Sequence, residues 1–192
     1  MPPTPRQRNR GPAAAADNRA ALVAAGRRLF AAQGYAVPLS AVAREAGVGQ
    51  GVLYRHFPTR ADLALAVFSD NIDEIEELAA AHPGPDGFLV LWRRVVEHML
   101  ESTAFVDALI HAGDLPEWSG AERLERVLAR PLELARGAAL VDERLAPDDV
   151  LLLLRLLYGV VVTAPDRTTA RGSLGRALTL VDPRLASALA DD

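Results

Sequence analysis

Cysteine is absent from the 192-residue chain, and every one of its 21 basic residues is arginine. Without thiols there is no disulfide framework, no thiolate metal site and no cysteine nucleophile. The uniform use of arginine reads as genome composition rather than as selection for bidentate contacts. Aromatic residues are only 5% of the chain, which disfavours a flat aromatic cage around a ligand. No apolar run reaches the length of a membrane span. The polar, Pro-rich beginning has no secretory apolar segment, so a cytoplasmic location is expected. Serine and histidine do not recur in a nucleophile pattern, and neither a G-x-S-x-G turn nor a phosphate loop occurs. GVGQG at 47–51 resembles a glycine-rich loop only superficially, because it follows a helical pattern and no strand. An enzyme is therefore not expected.

What is present is apolar and helical. Hydrophobic residues make up 50% of the chain, enough for a sizeable core in one large or two small domains. The net charge of −4 hides a split. Residues 1–60 hold nine arginines against Asp17 and Glu45, a local charge of +7, and the remainder holds 12 arginines against 23 acids, or −11. A basic head on an acidic body implies that only the head meets a polyanion.

Leu39 to Phe57, LSAVAREAGVGQGVLYRHF, is the most informative stretch. Leu39, Val42, Ala43 and Ala46 are spaced as the apolar face of a short helix. Gly47 follows, where a helix commonly ends in a left-handed residue. Val48 plugs the turn, and Gln50 opens a second short helix in which Val52, Leu53 and Phe57 can turn inward. Two short helices about a glycine turn make a helix-turn-helix. Gln50, Gly51, Tyr54, Arg55 and His56 then face outward, offering donors, an aromatic hydroxyl and a slim backbone to base edges and phosphates.

At these residues the sequence resembles a known family. AREAGVGQGVLYRHFPTRADL (43–63) is similar to the DNA-binding segment of TetR-family transcriptional regulators, and Leu29-Phe30 with Gly34-Tyr35 match the end of that family's first helix. The resemblance is strong over about residues 18–68. It implies an all-α fold of about nine helices, with an N-terminal helix-turn-helix domain and a C-terminal ligand-binding and dimerisation domain. It also implies a homodimeric regulator, most often a repressor, that binds a palindromic double-stranded DNA operator and is released by a small-molecule effector. Carried over by position, Gln50 and Ser40 fall at base-contacting places, Tyr54 and Arg60 at phosphate-contacting ones, and His56 at a DNA contact. Gly51 lets the backbone approach closely. Arg55 is an outward reader. Val52 replaces a common hydroxyl residue, so it can only touch a thymine methyl or pack. Pro38 likewise stands where many members have a capping Ser or Thr.

The expected domains are a flexible basic arm (1–16), the helix-turn-helix domain (17–60) and a helical effector-binding and dimerisation domain (61–192). In the arm, Arg6, Arg8 and Arg10 could enter a minor groove; the plainer reading is a solubilising tail. Asp17 or Asn18 is expected to cap a first helix running to Gln33. Thr59 can cap a long helix from 60 to Ala81, whose run of Asp70, Asp73, Glu74, Glu76 and Glu77 reads as a solvated acidic face. After the breaker at 82–87, helices are expected over about 88–102, 103–111, 117–140 (kinked or broken at Pro131), 147–162 and 168–180, with a short turn at 185–190. VLLLLRLLYGVVV at 150–162 is apolar nearly all round and must be buried on several sides. The resemblance makes 147–181 the dimer interface, with Leu153 and Leu157 as test positions and close approach at Gly172 and Gly175.

For an effector, the large side chains are Phe68, Trp92, Met99, Phe105, Leu109, Trp118 and Tyr158, with His98, His111 and Arg155 to orient it. Plain core is the competing reading for each apolar one. Glu97, His98, Glu101 and His111 could suggest a metal, but Glu and His on an exposed helix are ordinary; no metal or other cofactor is expected. The alternative function is a helical small-molecule-binding protein whose head has lost specific DNA binding, which the hydroxyl losses at Pro38 and Val52 would favour.

Overall fold

The computed structural model describes residues 12–101 and 120–189. Among these the chain is all helical: α1 (Pro12–Gln33), α2 (Leu39–Glu45), α3 (Gln50–His56), α4 (Arg60–Ala81), α5 (Gly87–Glu101), α6 (Gly120–Gly137), α7 (Pro147–Val162), α8 (Arg167–Val181) and α9 (Pro183–Ser187). The helix expected over 103–111 lies outside the described residues. So do Arg6, Arg8 and Arg10.

Most boundaries follow from the local chemistry. α1 stops at Gly34, which takes a left-handed φ of 80°. It begins at Pro12 rather than at Asp17, because Ala13 to Ala16 are strong helix formers and proline suits a first helical position. Thr59 caps α4 in a reciprocal box with Asp62: the Thr59 hydroxyl accepts from the Asp62 amide at 3.1 Å, and the Asp62 carboxylate accepts the Thr59 amide at 2.8 Å. Asp166 caps α8 through the Thr169 amide at 2.9 Å. Pro131 does not break α6, which runs through it to Gly137.

Two apolar clusters organise the helices, and α4 belongs to both. The first gathers Leu22, Phe30, Val42, Leu53 and Phe57 from α1–α3 around Leu63 and Val67 of α4. The second gathers Phe88, Leu91 and Trp92 of α5 with Leu132, Leu153, Leu157, Leu174 and Leu178, and takes Ile75 from α4. The first two turns of α4 are thus part of the head's core, and its last turns part of the body's.

The acidic face of α4 is not simply solvated. Arg27 of α1 reaches Asp70 at 3.9 Å and Glu74 at 3.6 Å. Arg94 of α5 grips Glu74 at 2.6 Å. Arg123 of α6 bridges Asp73 at 2.7 Å and Glu76 at 2.9 Å. The run reads as solvent-facing in sequence because its partners lie 20 to 50 residues away.

The end of α6 holds one local misfit. Ala139 takes a left-handed φ of 58°, a conformation glycine adopts at little cost. The Leu140 amide donates back to Ala135 at 2.9 Å, which closes the cap around Ala139, while Gly137 is spent inside the helix. Ala139→Gly should therefore raise stability by about 0.5–1 kcal/mol, read as a higher thermal midpoint; a lower midpoint would show that the left-handed residue carries no cost there.

Candidate nucleic-acid interface

The head presents α3 on a frame of buried residues. Gly47 makes the turn after α2 with φ 68°, and the Val48 amide donates to the Ala43 carbonyl at 3.0 Å, closing the end of α2. Gly49 is extended and precedes α3, whose Leu53, together with Phe57 just beyond the helix, is buried. These two anchors fix which side of α3 faces away. On that side Gln50, Gly51 and Arg55 are exposed, and Tyr54 keeps 51% of its surface exposed. A ring that open is not a packing ring.

The remaining members of the expected set are placed less uniformly. Ser40 is exposed in the first turn of α2. That helix starts after Pro38 with no side-chain cap, as the missing hydroxyl there requires. Val52 and His56 are half-buried, and the His56 ring lies 6.2 Å from that of Phe57. Arg55 folds back so that Nε donates to the Gly51 carbonyl at 3.2 Å, which holds the guanidinium along the exposed side of α3. A Cβ added at Gly51 would meet nothing within 4 Å, so the protein's own packing does not require glycine there.

Arg60 has a task the sequence did not reveal. Its Nη1 donates to the Tyr35 carbonyl at 2.8 Å, and the guanidinium sits 5.3 Å over the Tyr35 ring. It ties the start of α4 to the link after α1, which leaves its other N–H donors for any outside acceptor. Arg19 of α1 lies 5.5 Å over the ring of Phe57, just beyond the C-terminal end of α3.

Phe68 and Trp92 of the proposed effector set fall in different apolar clusters. Phe68 packs against the head's cluster. Trp92 is fully buried in the body, its ring 6.4 Å from that of Phe88. Met99 borders the body cluster, and Tyr158 is half-buried. Arg155 is exposed. Phe105, Leu109, His111 and Trp118 lie outside the described residues. Asn71 Oδ1 and Trp92 Nε1 are buried with no hydrogen-bond partner among the described residues, which leaves an acceptor and a donor unanswered inside the molecule. Among the described residues no group of three His, Asp or Glu is placed to hold a metal ion, and no helix is long and apolar enough to cross a membrane.

His98 joins the charge network instead. Its Nε2 lies 3.3 Å from Glu74, and its Nδ1 lies 3.8 Å from Glu101. Sequence reasoning missed the centre of this network, Arg94. The available signal was a pair of arginines, Arg93-Arg94, within the otherwise apolar run 88–96.

A family model described as "Bacterial regulatory proteins, tetR family" matches residues 22–67. Those residues include all of α2 and α3. The chain is 41% identical over 81 residues to the HTH-type transcriptional regulator AcrR of Shigella flexneri, covering 40% of this chain but only 37% of that relative. A TetR transcription regulatory protein from Mycobacterium vanbaalenii shares 32% identity over 78% of this chain and 95% of its own, with a TM-score of 0.62. A gamma-butyrolactone receptor shares the fold at 19% identity, over 92% and 94% of the two chains, with a TM-score of 0.56. Match, identity and coverage together define the class: this chain belongs to the TetR family of bacterial transcriptional regulators.

The buried histidine gives this protein a characteristic acid response. Burial, with Arg94 beside it, pushes the His98 imidazole down to about 4 from the usual 6.5. The unfolded chain takes up that proton at the higher pH and the folded chain only at the lower, so protonation in this window favours unfolding. This contribution to stability is complete above 6.5 and declines as pH falls toward 4. His98→Gln should flatten that part of the melting-temperature profile; an unchanged profile would assign the acid response to another group.

Proposed function

We propose that this protein is a homodimeric repressor that binds a roughly palindromic operator and is released by a small molecule. The observation that carries the reading is the exposed side of α3, where Gln50, Tyr54 and Arg55 stand out from a helix anchored by Leu53 and Phe57. In this reading Gln50 reads a base edge, Tyr54 and Arg60 bind phosphate, and Ser40, Gly51, Val52, Arg55 and His56 complete the contact surface. Arg6, Arg8 and Arg10 would add phosphate or minor-groove contacts from the arm. Residues 17–60 would act as the DNA-binding unit and 61–192 as the unit for effector and dimer.

The dimer rests on a stripe of exposed apolar surface. Leu152 and Leu156 are 52% and 57% exposed and stand one turn apart on α7, followed by exposed Gly159 and Thr163 on the same side. Leu180 of α8 is 80% exposed. Large side chains this open on the chain's most apolar helix support a partner helix pair lying across them. Leu153 and Leu157 belong to the chain's own core, at 7% and 3% exposure, so charges there would disrupt that core rather than report on an interface. The leucines to test are the ones before them.

An effector reading draws on relatives. A protein of the same fold is a gamma-butyrolactone receptor, which supports a small molecule as the releasing signal. Asn71 and Trp92 offer the unanswered acceptor and donor that such a molecule could use. Release then needs differential affinity for two arrangements of the heads.

Mobility shift of the DNA upstream of its own gene, against scrambled competitor and across a salt series, tests the reading. Specific binding that weakens steeply with salt is expected, and binding blind to sequence would favour a head without operator readout. Within that assay Tyr54→Ala should cost about 1 kcal/mol, roughly fivefold in affinity, with the fold and dimer unchanged. Equal affinity would remove Tyr54 from the contact surface. Leu152→Glu combined with Leu156→Glu should give monomers in sedimentation and abolish tight operator binding. A dimer that survives both charges would place the interface elsewhere.

A further inference from the structure

We infer that Arg55 is a specificity-determining residue whose guanidinium reads a guanine in the major groove, once in each half of the operator. This rests on the DNA-binding reading above and deepens it by naming a base.

Arg55 stands near the end of α3, as the sixth of the helix's seven residues. Base edges are met mainly by the first turn of a reading helix. Arg55 reaches that turn by folding back. Its Nε donates to the Gly51 carbonyl at 3.2 Å, which carries the guanidinium one turn toward Gln50. That bond uses Nε and leaves the edge formed by Nη1 and Nη2, with its two parallel N–H donors. In the major groove guanine presents two neighbouring acceptors, O6 and N7, and this edge fits them. Adenine, thymine and cytosine each place a donor or a methyl group in that pattern. A side chain already held in its reading geometry also has less freedom to lose on binding.

The surrounding chemistry keeps the fork on α3. The helix QGVLYRH carries no acid, and residues 39–62 hold only Glu45 and Asp62. Arg28 grips Glu45 at 3.1 Å, and the amide and hydroxyl of Thr59 hold Asp62 at 2.8 and 2.7 Å. Both neighbouring carboxylates are thus engaged elsewhere. Gly51, which supplies the anchoring carbonyl, bears no Cβ, and a Cβ there would meet nothing of the protein within 4 Å. Packing does not call for glycine at this place, and glycine weakens a helix. A bare first turn lets α3 sit deep in a groove, which a guanidinium lying along the helix needs if it is to reach base edges rather than the phosphate rim. Gln50 beside it carries an amide, whose matching base is adenine, so the two readers leave different signatures.

The test is selection from a random DNA pool by the full chain and by Arg55→Ala, followed by affinities on the selected operator. The wild type should fix a guanine in each half-site. The variant should leave that position unspecified and keep the others. Replacing that guanine with 7-deazaguanine, which lacks N7, should weaken the wild type about tenfold and leave Arg55→Ala unchanged. A phosphate contact predicts the opposite pattern: the variant binds every sequence more weakly, its salt slope falls by about one, and the guanine preference survives. That pattern would overturn the assignment, as would a deaza effect equal in both proteins. Arg55 is exposed and alanine is a strong helix former, so the variant keeps its fold. An enriched operator without this guanine would defeat the Arg55 assignment alone. A pool in which the wild type enriches nothing would defeat the regulator reading and the assignment together.

Discussion

The carboxylate of Glu74 is where the head and the body meet. It receives Arg27 from α1, Arg94 from α5 and the His98 imidazole, three groups from two helices. Its acid strength is raised chiefly by the hydrogen bond from Arg94. Partly exposed ion pairs contribute about 0–1 kcal/mol each, so these contacts are not what keeps the protein folded. Burial of the two apolar clusters does that. What the ion pairs add is direction. α4 is held on one side by Leu63, Val67 and Ile75, which allow it to roll a little in its groove. Arg27, Arg94 and Arg123 grip its other side at Asp70, Asp73, Glu74 and Glu76, and a rotation that suited one partner would stretch another. The helix that joins head to body is therefore fixed in roll as well as in place.

The same division between burial and aim recurs in the head. Leu53 and Phe57 set the depth and rotation of α3, Gly47 sets its angle to α2, and Arg60 with Tyr35 locks the first turn of α4 beside it. Apart from Arg60, none of these groups is among the proposed DNA contacts. They determine that Gln50, Tyr54 and Arg55 leave the surface together, from a short helix whose position is fixed from behind. This is why a seven-residue helix, too short to be stable alone, can serve as a reading element.

The head was legible in sequence because its signals are local. Gly47, Thr59 with Asp62, and the spacing of Leu53 and Phe57 each act within a few residues, and each appears in the structure as read. The body was legible as helices but not as surfaces. In VLLLLRLLYGVVV the leucines are chemically identical, and only the packing of α5, α6 and α8 decides that Leu153 and Leu157 face inward while Leu152 and Leu156 face out. Arg94 and Arg123 find acids 20 and 50 residues away, a distance no periodicity reports. The effector set was hard to read for the same reason. Size and polarity selected Phe68 and Trp92 equally, and the fold sent one to the head and the other to the body's core.

The exposed leucines of the body call for a different kind of explanation. Leu152, Leu156 and Leu180 expose apolar area that water disfavours, at about 25 cal/mol for each Å², and polar residues there would cost the monomer nothing. Retaining leucine at such positions makes sense when a second surface covers them.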